Sequence, residues 1–172
     1  LPLAADSRVE TVIGGATRAA SVLNALNSLA EQAAPKDWVL VHDMVRPCVS
    51  PRHIQALREN LAKHPVGGLL AIPVTDTLHR ADDMGNLLPP GMSRESLWRA
   101  QTPQIFRYGL LREALQAAQD AGEATGDEAA AMLRAGYRPR IVQGSAGNFK
   151  ITMAEDLRLA RSLLAEREDM GS

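Results

Sequence analysis

The sequence predicts an α/β protein built on a mostly parallel sheet with helices on both faces. Short apolar runs of strand character alternate with longer stretches of helical periodicity, and glycines and helix-capping residues punctuate the boundaries. With 172 residues, 45% of them apolar, the chain can bury one core and reads as a single domain over 1–172.

Residues 9–13 read as a strand ending in Gly14-Gly15. Val22, Leu23, Leu26, Leu29 and Ala30 then mark one face of a helix. Residues 38–42 form the next strand. Ser50 and Pro51 supply a capping hydroxyl and a first-turn proline for a helix whose stripe is Ile54, Leu57 and Leu61, and Gly67-Gly68 closes it. Residues 69–74 are a third strand. Over 76–100 the pattern dissolves into charged and turn-forming residues, too long for an ordinary connection, so the segment reads as a protruding β-arm that needs a partner surface. Its hairpin turn is expected near 83–85 or 89–91.

Beyond Thr102-Pro103, Leu110, Leu111, Ala114, Leu115 and Ala118 form a helical face ending near Gly122. Thr125 and Glu128 have capping-box spacing before a short helix over 129–133. Residues 140–143 read as a strand, 144–147 as a turn and 148–152 as a brief extended piece carrying Lys150. Thr152 and Glu155 repeat the box spacing and open a terminal helix with Leu157, Ala160, Leu163 and Leu164 facing inward.

The 19 basic and 20 acidic residues are scattered, so the chain lacks the electrostatic footprint of a nucleic-acid binder. Phosphate chemistry would therefore involve small molecules held by a few placed cations. A single cysteine, Cys48, excludes an intrachain disulfide framework, and no apolar run reaches the length of a membrane span. With no leader pattern at its start, the protein is expected to be cytoplasmic, without a membrane partner. The chain opens at Leu1 without an initiator Met, a hint that sequence precedes it.

The most informative motif is Val41-His42-Asp43-x-x-Arg46-Pro47, at the exit of the apolar strand 38–41. The carboxyl edge of a sheet is where open α/β folds bind ligands. There Arg can grip a phosphate with its planar fork and Asp can accept hydrogen bonds from hydroxyls; a structural ion pair at a strand end is the alternative. Gly14-Gly15-Ala16-Thr17-Arg18 offers bare backbone amides at a strand-to-helix junction, or simply a tight turn using glycine's positive φ. Ser21 is either a cap or a base contact. Asp76-Thr77, Arg94 and Lys150 each have an ordinary turn or solvated-charge reading, but Asp43, Arg46, Thr77 and Lys150 all lie just after or beside an expected strand. Neither a phosphate loop nor a dinucleotide fingerprint occurs, and His42, His53, His64 and His79 lack metal-ligand spacing.

Taken together, Gly14-Gly15-x-x-Arg18-x-x-Ser21-Val22, the His42–Pro47 motif, Pro73-Val74-x-Asp76-Thr77, Arg94-x-x-Leu97-Trp98-x-x-Gln101-Thr102-Pro103-Gln104, Asp127-Glu128-Ala129 and Asn148-x-Lys150-x-Thr152-x-x-Glu155-Asp156 resemble, in order, the bacterial 2-C-methyl-D-erythritol 4-phosphate cytidylyltransferase family. The resemblance runs from Leu1 nearly to the end. It implies a nucleotidyltransferase-type, Rossmann-like fold whose arm, 76–100, exchanges across a homodimer. The implied reaction joins the phosphate of methylerythritol phosphate to the α-phosphorus of CTP and releases pyrophosphate, with Mg²⁺ held mainly by the nucleotide phosphates. Residue by residue, it implies Arg94 and Lys150 as catalytic groups and Asp43, Arg46, Thr77, Arg94 and Lys150 as acceptor-binding groups. It also implies that Gly15, Ser21 and the backbone at Ala16 and Met44 line the cytidine pocket, with no side chain assigned to metal.

The family's opening strand and glycine-rich loop, with the Arg and Lys that embrace the triphosphate, would lie before Leu1. Met44-Val45 stands where the family has Ala-Ala, Ala16 where an acidic residue is usual, Asn24-Ala25 where a glycine is frequent, His79 where Lys is common and Gly126 where Thr is usual. Two other readings accompany the leading one: ribitol 5-phosphate as acceptor, and an arm-exchanged dimeric scaffold without effective catalysis.

Overall fold

The computed structural model describes residues 6–89 and 93–171. In chain order the elements are α1 (Arg18–Ser28), β1 (Trp38–Val41), α2 (Pro51–Leu61), β2 (Gly67–Pro73), β3 (Trp98–Arg107), α3 (Tyr108–Asp120), α4 (Glu128–Arg134), β4 (Arg140–Gln143) and α5 (Ala154–Gly171), with a 3-10 turn at Arg94–Ser96. The strands are ordered β1-β3-β2-β4. The α/β reading holds, and the sheet is mixed. β1 pairs antiparallel with β3, Trp38 opposite Arg107 and Val41 opposite Gln104. Hydrogen bonds from Arg107 N to Val66 O and from Val74 N to Leu97 O run β3 against β2 as well. The chain divides into two compact units: Leu1–Val41, Leu61–Gly68 and Gln104–Arg140 form one, and His42–Asn60, Leu69–Pro103 and Ile141–Ser172 the other.

In the first unit, the Thr17 side chain caps α1 by accepting from Ala20 N at 3.1 Å. Leu23 and Leu26 of α1 are buried, as are Phe106, Leu111, Leu115, Ala131 and Met132, and α3 packs against both α1 and α4. The buried Tyr108 hydroxyl donates to Leu26 O at 3.0 Å, satisfying its polar end inside this core. In the second unit Cys48, Leu57, Leu70, Ala71 and Ala160 are buried. Arg167 of α5 donates to Cys48 O at 2.8 Å and Val49 O at 3.3 Å, tying the last helix to the approach to α2.

Several expectations change. Residues 9–13 form no strand: Val9, Val12 and Ile13 are 40%, 41% and 89% exposed, and an apolar run with no ladder partner has no pleated surface to fit. Gly67-Gly68 opens β2 and does not terminate α2. Gly67 has φ +134°, and a Cβ there would lie 2.1 Å from Ile105 O; at Gly68 it would lie 2.0 Å from Arg140 O. Glycine is needed here because neighbouring backbone approaches so closely.

The strand β3 is absent from the sequence reading: Pro103 lacks a ladder donor, and polar Gln101, Thr102 and Gln104 stand where a core strand would carry aliphatics. In the arm, Ala81 bridges Leu87, and Asp82 Oδ1 accepts from Met84 N and Asn86 N at 3.0 and 2.8 Å, so the turn is the one expected at 83–85. The alternative turn at 89–91 falls partly outside the described residues.

Both capping boxes are displaced. Asp127, not Thr125, caps α4 by accepting from Ala130 N. At α5 it is Asp156, not Glu155, that accepts from Thr152 N and Met153 N, each at 2.8 Å. These bonds, the one from Thr152 first, hold the Asp156 carboxyl below the usual carboxylate range. Leu157, expected inward, is 43% exposed, whereas Ala160 is buried.

Candidate active site

The turn leaving β1 lies in the second unit and carries Asp43 and Arg46. Its Arg46 N donates to Asp43 O at 3.0 Å, closing the turn. Arg46 Nη1 donates to Asn148 O at 2.8 Å and Nη2 to Ala100 O at 3.5 Å, while Nε lies 3.8 Å from Asp43 Oδ2. Both side chains are largely buried, at 12% and 14% exposure. Burial lowers the Arg46 guanidinium from its ordinary value and the adjacent Asp43 charge pulls it back up; the group stays cationic. Two of its donors point at main-chain carbonyls, so much of its fork is committed to orienting the turn and the segment opposite.

That segment holds Lys150. Ile151 N donates to Val45 O at 2.8 Å, and with the Arg46–Asn148 bond this lays 148–151 along 45–46. Lys150, exposed, is thereby placed beside the Asp43–Arg46 turn. Gln101, 4% exposed, reinforces the segment by donating Nε2 to Ser145 O at 2.7 Å and to Asn148 O at 3.2 Å. Asn148 Nδ2 in turn donates to Thr102 O at 2.8 Å. Gln101 Oε1, Asn148 Oδ1 and Arg46 Nε are buried without a protein hydrogen-bond partner.

At the base of the arm, Arg94 opens the 3-10 turn and donates Nη1 to Thr75 O at 2.7 Å. Arg94 and Thr77 are both exposed and belong to the same unit as Asp43, Arg46 and Lys150. Met44, in the turn itself, is 91% exposed.

In the first unit the glycine turn precedes α1. Gly15 N donates to Ser21 Oγ at 3.0 Å, and the Ser21 hydroxyl donates to Thr17 O at 2.9 Å. Ser21 is therefore neither the cap of α1 nor unengaged; its hydroxyl pins the turn to the helix. Neither Gly14 nor Gly15 has positive φ, and a Cβ at Gly15 would lie 2.5 Å from Ala20 Cβ, so close approach, not left-handed backbone, accounts for the glycine. Gly15 and Ala16 border a cleft of about 620 Å³ that runs to Leu115, Ala118 and Thr125.

Behind the turn, Arg18 and Glu128 form a two-pronged ion pair at 2.6 and 3.1 Å, with Glu128 fully buried. Gln104 holds the same corner: Nε2 donates to Asp127 Oδ2 and Oε1 accepts from Ala129 N, both at 2.9 Å.

Sequence reasoning assigned no individual role to His42, Gln101, Thr102, Gln104 or Asn148, although all five lie inside the motifs it singled out. Gln101, Thr102 and Gln104 lie within β3, and His42 and Asn148 in the segments that follow β1 and β4.

A family model described as IspD, 2-C-methyl-D-erythritol 4-phosphate cytidylyltransferase, matches residues 1–166. Among curated relatives, the 2-C-methyl-D-erythritol 4-phosphate cytidylyltransferase of Aromatoleum aromaticum is 51% identical over 154 residues, covering 90% of this chain and 64% of its own length. That of Burkholderia multivorans is 52% identical over 153 residues, covering 88% and 65%. This chain thus spans slightly less than two thirds of these relatives. The crystal structure of the Francisella tularensis 2-C-methyl-D-erythritol 4-phosphate cytidylyltransferase superimposes with a TM-score of 0.84 at 34% identity, over 92% of this chain and 73% of that one. A crystal structure of a 4-diphosphocytidyl-2C-methyl-D-erythritol synthase gives 0.79 at 42% identity, over 88% and 69%.

Proposed function

We propose, from the premise that this chain belongs to the 2-C-methyl-D-erythritol 4-phosphate cytidylyltransferase family, that the natural full-length protein transfers a cytidylyl group from CTP to 2-C-methyl-D-erythritol 4-phosphate. The observation that carries this reading is the seating of 148–151 along 45–46, which sets a lysine beside the largely buried Asp43–Arg46 pair.

In the proposed reaction an oxygen of the acceptor phosphate forms a bond to the α-phosphorus of CTP. The bond from that phosphorus to the bridging oxygen breaks, and pyrophosphate leaves with the electron pair. Nothing in this chemistry requires a covalent enzyme intermediate. The protein positions the attacking oxygen and neutralises charge as it accumulates around phosphorus. Lys150, with Arg94 and Thr77 from the arm of a second copy, holds the acceptor phosphate. Asp43 accepts from the polyol hydroxyls, and Arg46, its guanidinium engaged with Asn148 O and Ala100 O, keeps that carboxylate in place. Gly15, Ala16, Ser21 and Met44 serve the nucleotide.

Mg²⁺ enters this proposal through the CTP phosphates, where it supplies charge neutralisation. Among the described residues no cluster of three metal-ligating side chains occurs, so no residue here is assigned to coordinate it. No helix of the described residues is long and apolar enough to cross a membrane.

Pyrophosphate release from CTP and methylerythritol phosphate tests the reading, with ribitol 5-phosphate as the competing acceptor. Lys150→Ala is expected to lower kcat/KM about 100-fold or more, the scale of losing one charge-stabilising group at phosphorus. Mixing Arg94→Ala with Lys150→Ala protein is expected to restore part of the activity, because a heterodimer assembles one intact site from two chains. Absence of turnover in the wild type, or faster use of ribitol 5-phosphate, overturns the assignment. Failure to complement overturns the two-chain site.

A further inference from the structure

His42 immediately precedes Asp43, and both of its ring nitrogens are engaged. Nε2 lies 3.0 Å from Arg46 O, and Nδ1 lies 2.9 Å from Thr102 Oγ1. A carbonyl oxygen can only accept, so Nε2 carries the proton; in the neutral ring Nδ1 then accepts from the Thr102 hydroxyl. Thr102 Oγ1 itself accepts from Asp43 N at 2.9 Å. The direction is therefore consistent throughout: Asp43 N–H to Thr102 Oγ1, Thr102 O–H to His42 Nδ1, His42 Nε2–H to Arg46 O.

Two further bonds close this path into a ring of four residues. Arg46 Nη1 donates to Asn148 O at 2.8 Å and Asn148 Nδ2 donates to Thr102 O at 2.8 Å. Arg46 is consequently held at both ends, its carbonyl by His42 and its guanidinium by Asn148. Asp43 is held through its amide by the hydroxyl that His42 orients.

We propose that His42, as the neutral Nε2–H tautomer, is the positioning residue for the acceptor-binding turn: it fixes the Asp43 amide and the Arg46 carbonyl so that the carboxylate and guanidinium are set before the polyol phosphate arrives. This rests on the functional reading above for the identity of the ligand, and on the hydrogen-bond ring for the role. Preorganisation of this kind reduces the ordering that binding must otherwise supply, so its loss is read chiefly in acceptor affinity.

The experiment has two independent arms on the natural full-length protein. Long-range ¹H–¹⁵N NMR of labelled histidine, with the resonance assigned by its disappearance in His42→Asn, is expected to give the Nε2-protonated pattern; an Nδ1-protonated ring overturns the proposal. In steady-state kinetics, His42→Ala is expected to raise the acceptor KM about 10-fold and His42→Gln, which retains a donor toward Arg46 O, to recover most of that loss. His42→Asn, which retains only an acceptor toward Thr102, recovers less.

A purely structural lesion lowers the active fraction, and with it apparent kcat, but leaves acceptor KM unmoved; that result in folded His42→Ala protein, or in folded His42→Asn protein, overturns the role. If His42→Ala fails to fold, the Gln and Asn variants and the tautomer still decide. Wild-type protein that shows the expected tautomer without turning over methylerythritol phosphate counts against the functional reading and the ligand role, not against the ring.

Discussion

Replacing Arg18 by Met should destabilise the protein far more than replacing Glu128 by Gln, although both changes delete the same ion pair. The side chains are 37% and 1% exposed, respectively, so the two halves of the pair stand in different dielectric surroundings. Arg18→Met leaves a carboxylate buried without its cation, a loss of about 3–5 kcal/mol. Glu128→Gln removes the buried charge while keeping its shape and one acceptor oxygen, and water already reaches Arg18. With the pair's attraction discounted for that screening, the cost is about 1–2 kcal/mol. In the double variant the orphaned carboxylate is gone, so its cost should fall short of the two single costs added together by about 1–3 kcal/mol. Urea unfolding at neutral pH and fixed salt measures all three, provided that the m-value stays constant so that midpoints report stability. If Glu128→Gln costs as much as Arg18→Met, or if the two are additive, the asymmetric-burial argument is wrong.

Among the glycines, Gly67→Ala should cost several kcal/mol, because its Cβ would meet Ile105 O at 2.1 Å, whereas Gly122→Ala, with φ +66° and open space around it, should cost only about 1–2 kcal/mol; chemical denaturation separates them. Burial and, secondarily, the Arg140 charge lower the pKa of His64, whose Nδ1 accepts from Val66 N and Gly67 N at 3.3 and 3.0 Å. Protons therefore favour the unfolded chain: the stability that His64 contributes is complete above the ordinary histidine value of about 6.5 and declines as pH falls through the lowered folded-state value. Thermal melts of His64→Asn, which keeps an acceptor but cannot titrate, should show less of that decline than the wild type. Gln104→Glu should destabilise by about 2–4 kcal/mol, since it deletes the Nε2 donor to Asp127 and buries a second carboxylate beside it; a melting temperature within a degree or so of wild type would contradict that.

The fold was legible wherever apolar periodicity and burial coincide. α1, α2, α3 and β2 lie where buried Leu23 and Leu26, Leu57 and Leu61, Leu111 and Leu115, and residues 69–72 placed them, and β1 where the apolar run Trp38–Val41 did. Strand β3 was hidden because its interior is Gln101-Thr102-Pro103-Gln104, a sequence that local rules assign to a turn. Tertiary partners override those rules. Gln104 serves Asp127 and Ala129, Gln101 through its amide nitrogen serves Ser145 and Asn148, and Thr102 serves His42 and Asp43, so these buried side chains take their partners from segments remote along the chain. The helix caps failed on a smaller scale. Thr125 and Glu155 have the right spacing on paper, but α4 begins at Glu128, which makes Asp127 its cap, and at α5 the Asp156 carboxylate takes the Thr152 and Met153 amides.

The candidate site was legible as a set of residues but not as a division of labour. Motif chemistry reads Asp43 and Arg46 as a pair facing a ligand, the arginine as the phosphate grip. In the fold, Arg46 Nη1 and Nη2 point at Asn148 O and Ala100 O, and its backbone carbonyl is taken by His42. A guanidinium so engaged acts better as a fixed electrostatic support for Asp43 than as a mobile clamp; under the proposed function, phosphate capture then falls to the exposed Lys150 and Arg94. Exposure thus sorts the cations: the buried Arg46, with two donors turned to carbonyls, holds the turn, whereas Lys150 and Arg94 are exposed, although Arg94 also gives Nη1 to Thr75 O. Spacing along the sequence cannot make that distinction, because it depends on carbonyls contributed by β3 and by the loop after β4.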